Sequence, residues 1–352
     1  MDSPSNARDT ISRRTFSASL AMLGASALAG PARSAAQQAT LIDVHHHFYP
    51  PPYLKASDDW DAAHGRAVRQ QNRWSPAQSL EEMDQNNVST AIVSLSSTPG
   101  PWWGVDKASW AGLARACNEF AAGMIRDHPG RFGLFAALPM PDVDASLKEI
   151  EYAFGTLKAD GIGLQTDFGD TWPGDNAYLA VWEELNRRKA AVYFHPLSPN
   201  CCMNLVAGVG DGNLEYPTDT ARAALSLLMN GVFAKFRDIR FIFSHAGGPI
   251  PALAGRWEAG IRDPKVLARI APDGVIAELK RLYYEIANSA YRPTLAALSE
   301  LAAVDHIMFG TDFPYYFTRE NAKGLAEYGL PAATLAAIQR GNAMRLFPRL
   351  KA

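Results

Sequence analysis

The chain is poor in cysteine. Three in 352 residues, at Cys117, Cys201 and Cys202, are too few for a disulfide framework and lack the C-x-x-C spacing of a zinc or redox motif. It also lacks an excess of charge of either sign. With 34 Lys and Arg against 36 Asp and Glu, there is no basic footprint for nucleic acid and no polybasic patch for an anionic membrane. No apolar run is long enough to be a lasting membrane anchor. Gly208-Val209-Gly210-Asp211-Gly212 departs from G-x-G-x-x-G and follows no strand pattern, which removes a dinucleotide reading. What is present is 47% hydrophobic and 20% charged residues, the make-up of an ordinary globular chain with a sizeable core. The partner left by these exclusions is a small molecule.

Residues 1–36 stand apart from the rest. Ser12-Arg13-Arg14-Thr15-Phe16 precedes a mildly apolar run from Ser17 to Gly30, and Ser34-Ala35-Ala36 offers the small residues of a signal-peptidase site. The segment reads as a twin-arginine signal peptide. Residues 37–352 then form a single domain exported to the periplasm, and export of a folded chain by this route favours a bound cofactor.

From residue 39 onward, short runs rich in β-branched and aromatic residues alternate with stretches of helical period, the pattern of βαβ units and a parallel sheet. Eight strand candidates end near His45, Ser96, Leu138, Thr166, His195, His245, Ala287 and Asp312. Their spacing of roughly 38 residues suits βαβ units with a few insertions, so the expected fold is α/β, a distorted (β/α)8 TIM barrel. Helix starts are legible at Ser75-Pro76, Asp142 and Asp175. The insertions Phe48–Trp74, Thr98–Asp106 and Leu197–Pro217 each follow a strand end, which makes them βα-loop lids on the catalytic face.

Asp43-Val44-His45-His46-His47 carries the strongest local signal. Side chains alternate along a strand, so His45 and His47 point to one side and His46 to the other, where it packs or hydrogen-bonds. His195, His245 and Asp312 each close an apolar run, and each is able to bind metal or move a proton. A barrel gathers such strand ends around one axis. His64, His128 and His306 lack this placement and read as structural or solvent-facing; the vicinal Cys201-Cys202 reads as incidental.

Taken as a set in this order, Ile42-Asp43-Val44-His45-His46-His47, Leu80-Glu81-Glu82-Met83-Asp84, Phe194-His195-Pro196, Ser244-His245-Ala246-Gly247-Gly248 with Arg256, and Gly310-Thr311-Asp312-Phe313-Pro314 resemble the amidohydrolase superfamily. The likeness is to the branch of aminocarboxymuconate semialdehyde and salicylate-type decarboxylases, and it spans residues 40–348. It implies one divalent metal, zinc first and manganese second, held by His45, His47, His195 and Asp312. Gln165 and Thr166 stand where binuclear members carry a lysine, so one ion is implied. His245 matches the catalytic acid/base, with Asp312 a rival proton donor. Arg256 matches an arginine that binds the substrate carboxylate, in its own site or across a homodimer. Arg66, Arg69 and Arg73 do not match the branch's second substrate arginine. Trp102, Trp103 and Trp172 are candidates to stack on a planar substrate.

The expected reaction is oxygen-independent decarboxylation of a small aromatic or unsaturated acid. The alternative is hydrolysis of a lactone, ester or amide on the same mononuclear site. A third reading, an exported solute-binding protein, requires two lobes and a hinge.

Overall fold

The strands form where the apolar, β-branched runs fall, and all of them pair in parallel. They are β1 Leu41–His47, β2 Val88–Ser94, β3 Phe132–Ala137, β4 Gly161–Gln165, β5 Ala191–His195, β6 Arg240–Phe243, β7 Tyr283–Glu285 and β8 Ile307–Met308. The computed structural model describes residues 41–63, 74–96, 106–169 and 171–351. The predicted signal, His64, Arg66, Arg69, Arg73, Trp102, Trp103 and most of the Thr98–Asp106 insertion lie outside the described residues.

Neighbours in the eight-stranded sheet follow chain order from β1 to β8. The ring closes because β8 and the residues after it bond back to β1: Val44 N–H donates to Phe309 O at 3.0 Å, Asp312 N–H to His45 O at 2.8 Å and His47 N–H to Phe313 O at 2.8 Å. This is a barrel with helices outside it, as the strand spacing predicts, and the described chain forms one such unit, which removes the two-lobed reading. Among the described residues no helix is long and apolar enough to cross a membrane.

Two apolar cores hold the layers. One fills the barrel, with Ile42, Val44, Ile92, Phe135, Tyr193, Ile242 and Met308 packed together and Leu346 and Phe347 of the chain's end against them. The other lies between strands and helices and includes Trp182, Phe194, Phe241 and Phe243. The helix Pro76–Gln85 starts where Ser75 predicts it, in a capping box with Gln78, and Asp142 caps Val143–Tyr152 through Ala145 N–H. The Phe48–Trp74 insertion contains a helix, Pro51–Ala63.

Several expected strands stop short of the ends read from the sequence, and at two of them this shapes the site. β6 ends at Phe243 and β8 at Met308, and the site residues beyond them take left-handed conformations, His245 at φ 52°, Ala246 at φ 57° and Asp312 at φ 69°. Continued as extended strands, these residues would alternate with the pleat; the left-handed turns are what direct them at the axis. Cys201 and Cys202, set aside on sequence grounds, are joined as a vicinal disulfide in the 3-10 turn Asn200–Cys202.

Candidate active site

β1 carries a register irregularity between Asp43 and His46. The Asp43 carboxylate turns back there: Oδ1 accepts from His45 N–H and from Thr311 N–H, both at 3.0 Å, and Oδ2 accepts from Thr311 Oγ at 2.6 Å and bonds His46 Nδ1 at 2.9 Å. One buried side chain thus ties β1 to the loop that carries Asp312. His46 points away from the axis as expected, bonded to Ser79 Oγ at 2.8 Å and stacked on Phe313.

His45 and His47 point inward. The Nε2 atoms of the two rings are 3.0 Å apart, and Asp312 Oδ1 lies 3.2 Å from the first and 3.0 Å from the second. His195 completes a buried four-donor group in which all ligand atoms lie within 4.8 Å of one another. Donors about 2.0–2.2 Å from one ion stand roughly 3 Å apart around it, which is the spacing here. Hydrogen bonding fixes the free nitrogens. His47 Nδ1–H donates to Ser94 O and His45 Nδ1–H to Glu285 Oε1 at 2.8 Å, so both Nε2 lone pairs face a carboxylate oxygen. Three electron-rich atoms in such a contact need a positive charge between them, supplied by a proton on His45 or, in its place, by a metal ion. His195 Nδ1, buried with no protein partner, fits the same demand.

The titration behaviour agrees. Burial opposes charge on His45, yet the Glu285 and Asp312 carboxylates beside it push its pKa up to about 10. Burial holds His47 below the ordinary imidazole value, and burial with the neighbouring His47 and His45 holds His195 well below it. Burial would raise Asp312, but His45 and His47 keep its carboxyl well below the usual range. His47 and His195 are held neutral and Asp312 ionised, and a divalent ion in the cage would take the place of the proton that His45 otherwise holds.

Glu285 is the residue that the sequence reading passed over. Its Oε1 accepts from His45 Nδ1–H and from His245 N–H, both at 2.8 Å, and its Oε2 from Ala287 N–H at 2.6 Å. These bonds make it a support for the cage rather than a ligand of a second ion. The available signal was a charged residue in the apolar run Leu282–Ile286, at the end of β7. Gly310 is required beside it, since a Cβ there would meet the Glu285 carboxylate and stand 2.9 Å from His45 Cβ.

His245 stands beside the cage. Its Nδ1–H donates to Ala287 O at 2.9 Å, which leaves Nε2 free to face Asp312 Oδ2, 4.0 Å away. His195, His245 and Asp312 lie at the floor of a cavity of about 780 Å3 whose walls include Tyr49, Tyr216, Tyr291, Tyr315 and Asn288. The Leu197–Pro217 insertion contributes Gly212, Asn213, Tyr216 and Pro217, in keeping with a lid.

Two expected substrate residues are not brought to this cavity. Arg256 is exposed on the helix Ile250–Gly260, outside the lining. Trp172 is also outside it, with Nε1–H donated to the buried Asp219 at 2.9 Å. His128 caps the helix Lys107–Asp127, and His306 stacks on Tyr283, structural roles in both cases.

A family model described as amidohydrolase matches residues 42–349. The 6-methylsalicylic acid decarboxylase of Penicillium expansum is 36% identical over 322 residues, covering 88% of this chain and 97% of that protein. The gamma-resorcylate decarboxylase of Rhodococcus jostii is 27% identical, covering 87% of this chain and 98% of its own length. In fold, the chain matches a dihydroxybenzoic acid decarboxylase of Polaromonas sp. JS666, solved with manganese and 2-nitroresorcinol, at TM-score 0.75, with 24% identity, 89% of this chain and 98% of that one.

Proposed function

This chain belongs to the amidohydrolase family, in its branch of metal-dependent decarboxylases, and from that premise we propose that it removes carbon dioxide from a small hydroxylated aromatic acid without oxygen. The observation that carries this reading is the four-donor cage with His245 beside it at the floor of a tyrosine-walled cavity, in a chain whose named relatives are decarboxylases. The hydrolase alternative has the same cage, and the curated relatives named above are decarboxylases.

His45, His47, His195 and Asp312 would hold the ion, with zinc our first choice and manganese second. When bound, a divalent ion supplies a Lewis acid for the substrate's oxygens. In its imidazolium form, with Nδ1–H held by Ala287 O, His245 delivers its second ring proton from Nε2 to the ring carbon that bears the carboxylate. The carbon–carbon bond then breaks, its electron pair restores the aromatic ring, carbon dioxide leaves, and solvent returns the proton to His245. Asp312, one of the four cage donors with Oδ2 4.0 Å from His245 Nε2, would serve as ligand and as partner of His245. In a metal-loaded His245→Ala variant, carbon dioxide release from hydroxybenzoates falls by about 100- to 10,000-fold with metal content retained. Release at the wild-type rate sinks the assignment.

Residues 1–36 remain our twin-arginine signal, which puts the mature enzyme in the periplasm. Replacing Arg13 and Arg14 by Lys should leave a fused reporter in the cytoplasm; unchanged export would reject the signal. Arg256, exposed and away from its own cavity, is assigned to the carboxylate of a partner's substrate in a homodimer.

A further inference from the structure

The Leu197–Pro217 insertion carries a covalent bond that no step proposed above uses. Cys201 and Cys202 are joined in the turn Asn200–Cys202, between the cage donor His195 and the cavity-lining residues Gly212, Asn213, Tyr216 and Pro217. Because the two cysteines are neighbours in sequence, the bond closes a small ring around their planar peptide and fixes the backbone torsions inside it.

The surroundings carry that constraint towards the cavity. Asn204 N–H donates to Asp211 Oδ1 at 2.8 Å, and Asp211 opens the turn Asp211–Asn213 that contributes two residues to the cavity wall. From the helix Glu215–Met229, Arg222 Nη2 donates to Cys202 Sγ at 3.9 Å. The buried Glu215 and Asp219 carboxylates of that helix stand 3.7 Å and 3.6 Å from the guanidinium and hold it in place. The end of the insertion abuts the turn that carries His245: a Cβ on Gly248 would lie 2.5 Å from Pro217 O.

The two sulfurs differ in a way that sets the direction of attack. Cys201 is exposed, whereas Cys202 is half-buried against Arg222. In thiol–disulfide exchange a thiolate attacks one sulfur and expels the other, and the better-stabilised thiolate leaves faster. A dithiol thus bonds to Cys201 Sγ as the Cys201–Cys202 bond breaks, and the electron pair goes to Cys202 Sγ beside the Arg222 N–H donor. The second thiolate of the reductant then attacks the reductant's own sulfur in the mixed disulfide and expels Cys201. The dithiol ends as a cyclic disulfide, two electrons pass to the cysteines, and solvent carries the protons from one pair to the other. Cys117 takes no part, since it is buried and burial pushes its thiol up.

We propose that Cys201–Cys202 is a thiol–disulfide exchange site for a dithiol reductant, and that opening it loosens the loop beside the cavity. The site is independent of the reaction assigned to the cage.

The test treats native, metal-loaded protein with dithiothreitol and desalts it without air. One sample is alkylated with iodoacetamide and read by mass spectrometry; a parallel one is read by amide hydrogen exchange. We expect alkylation at Cys201 and Cys202 but not at Cys117. Exchange should quicken about tenfold at the bonded amides of Asn204, Asn213 and Leu214, the order expected from freeing one residue's backbone, and stay unchanged in the eight strands. Reoxidation of the second sample with diamide should restore the slow rate. A Cys201→Ser/Cys202→Ser protein should exchange fast with or without dithiothreitol; a further rise on adding it would trace the effect to the metal and overturn the proposal. Cysteines that stay unalkylated in the native protein, or alkylation without faster exchange, would overturn it as well. Should the double variant not fold, the wild type decides alone: exchange that stays fast after reoxidation rejects the site.

Discussion

Glu285 orients two imidazoles at once, one by accepting from a side chain and the other by accepting from a backbone N–H. Its Oε1 takes the Nδ1 proton of His45, so the lone pair of Nε2 is presented to the cage, and it pins the backbone of His245 in its left-handed turn. Loss of such a carboxylate–imidazole support costs metal sites about 10- to 100-fold in affinity. Glu285→Gln, which keeps the volume but replaces an oxygen lone-pair face by an amide, should lower metal affinity within that range. Competition with a chromophoric chelator measures it; affinity equal to wild type would mean that Glu285 is not the orienting group. The histidines were legible residue by residue because their spacing on one strand is a local property. Glu285 was not, because its role depends on β7 standing two strands from β1 in the closed ring, with β8 between them.

At the scale of elements, Asp43 joins β1 to the loop after β8. Its buried carboxylate serves His45, His46 and both polar hydrogens of Thr311, so truncation leaves several donors without a partner. Asp43→Ala should destabilise the fold by about 2–3 kcal/mol, read as a lower urea midpoint at unchanged slope. A shift under about 0.5 kcal/mol would show that the β1–β8 closure does not depend on this carboxylate. The strand runs were readable from composition, as were the helix starts at Ser75 and Asp142, since caps and pleats are set by neighbours in sequence. The turns at His245 and Asp312 were not. Nothing in Ser244-His245-Ala246 demands φ above zero, and the left-handed backbone persists because barrel closure and the bonds to Glu285 hold it.

For the whole molecule, the cavity is lined by His245 and by His195 and Asp312 of the cage but not by Arg256, and the proposed homodimer would account for that division. If Arg256 acts across the dimer, mixing inactive His245→Ala and Arg256→Ala subunits should rebuild one intact site per heterodimer. Activity should then recover to about a quarter of wild type, since half of a random mixture is heterodimer with one good site of two. No recovery in a mixture shown to exchange subunits would confine Arg256 to its own chain. By itself the sequence determined the alternation of strands and helices, the helix caps and the chemical identity of the cage donors. These depend on residue type and on spacings of a few positions. Only the tertiary structure decided which donors meet, that Glu285 stands behind them, that Trp172 faces Asp219 instead of the cavity, and that three hydroxyls, of Tyr49, Ser96 and Tyr315 from the segments after β1, β2 and β8, share one wall. The reason is closure: a ring of eight strands brings residues more than 200 positions apart within hydrogen-bond distance, and no local pattern encodes which ones.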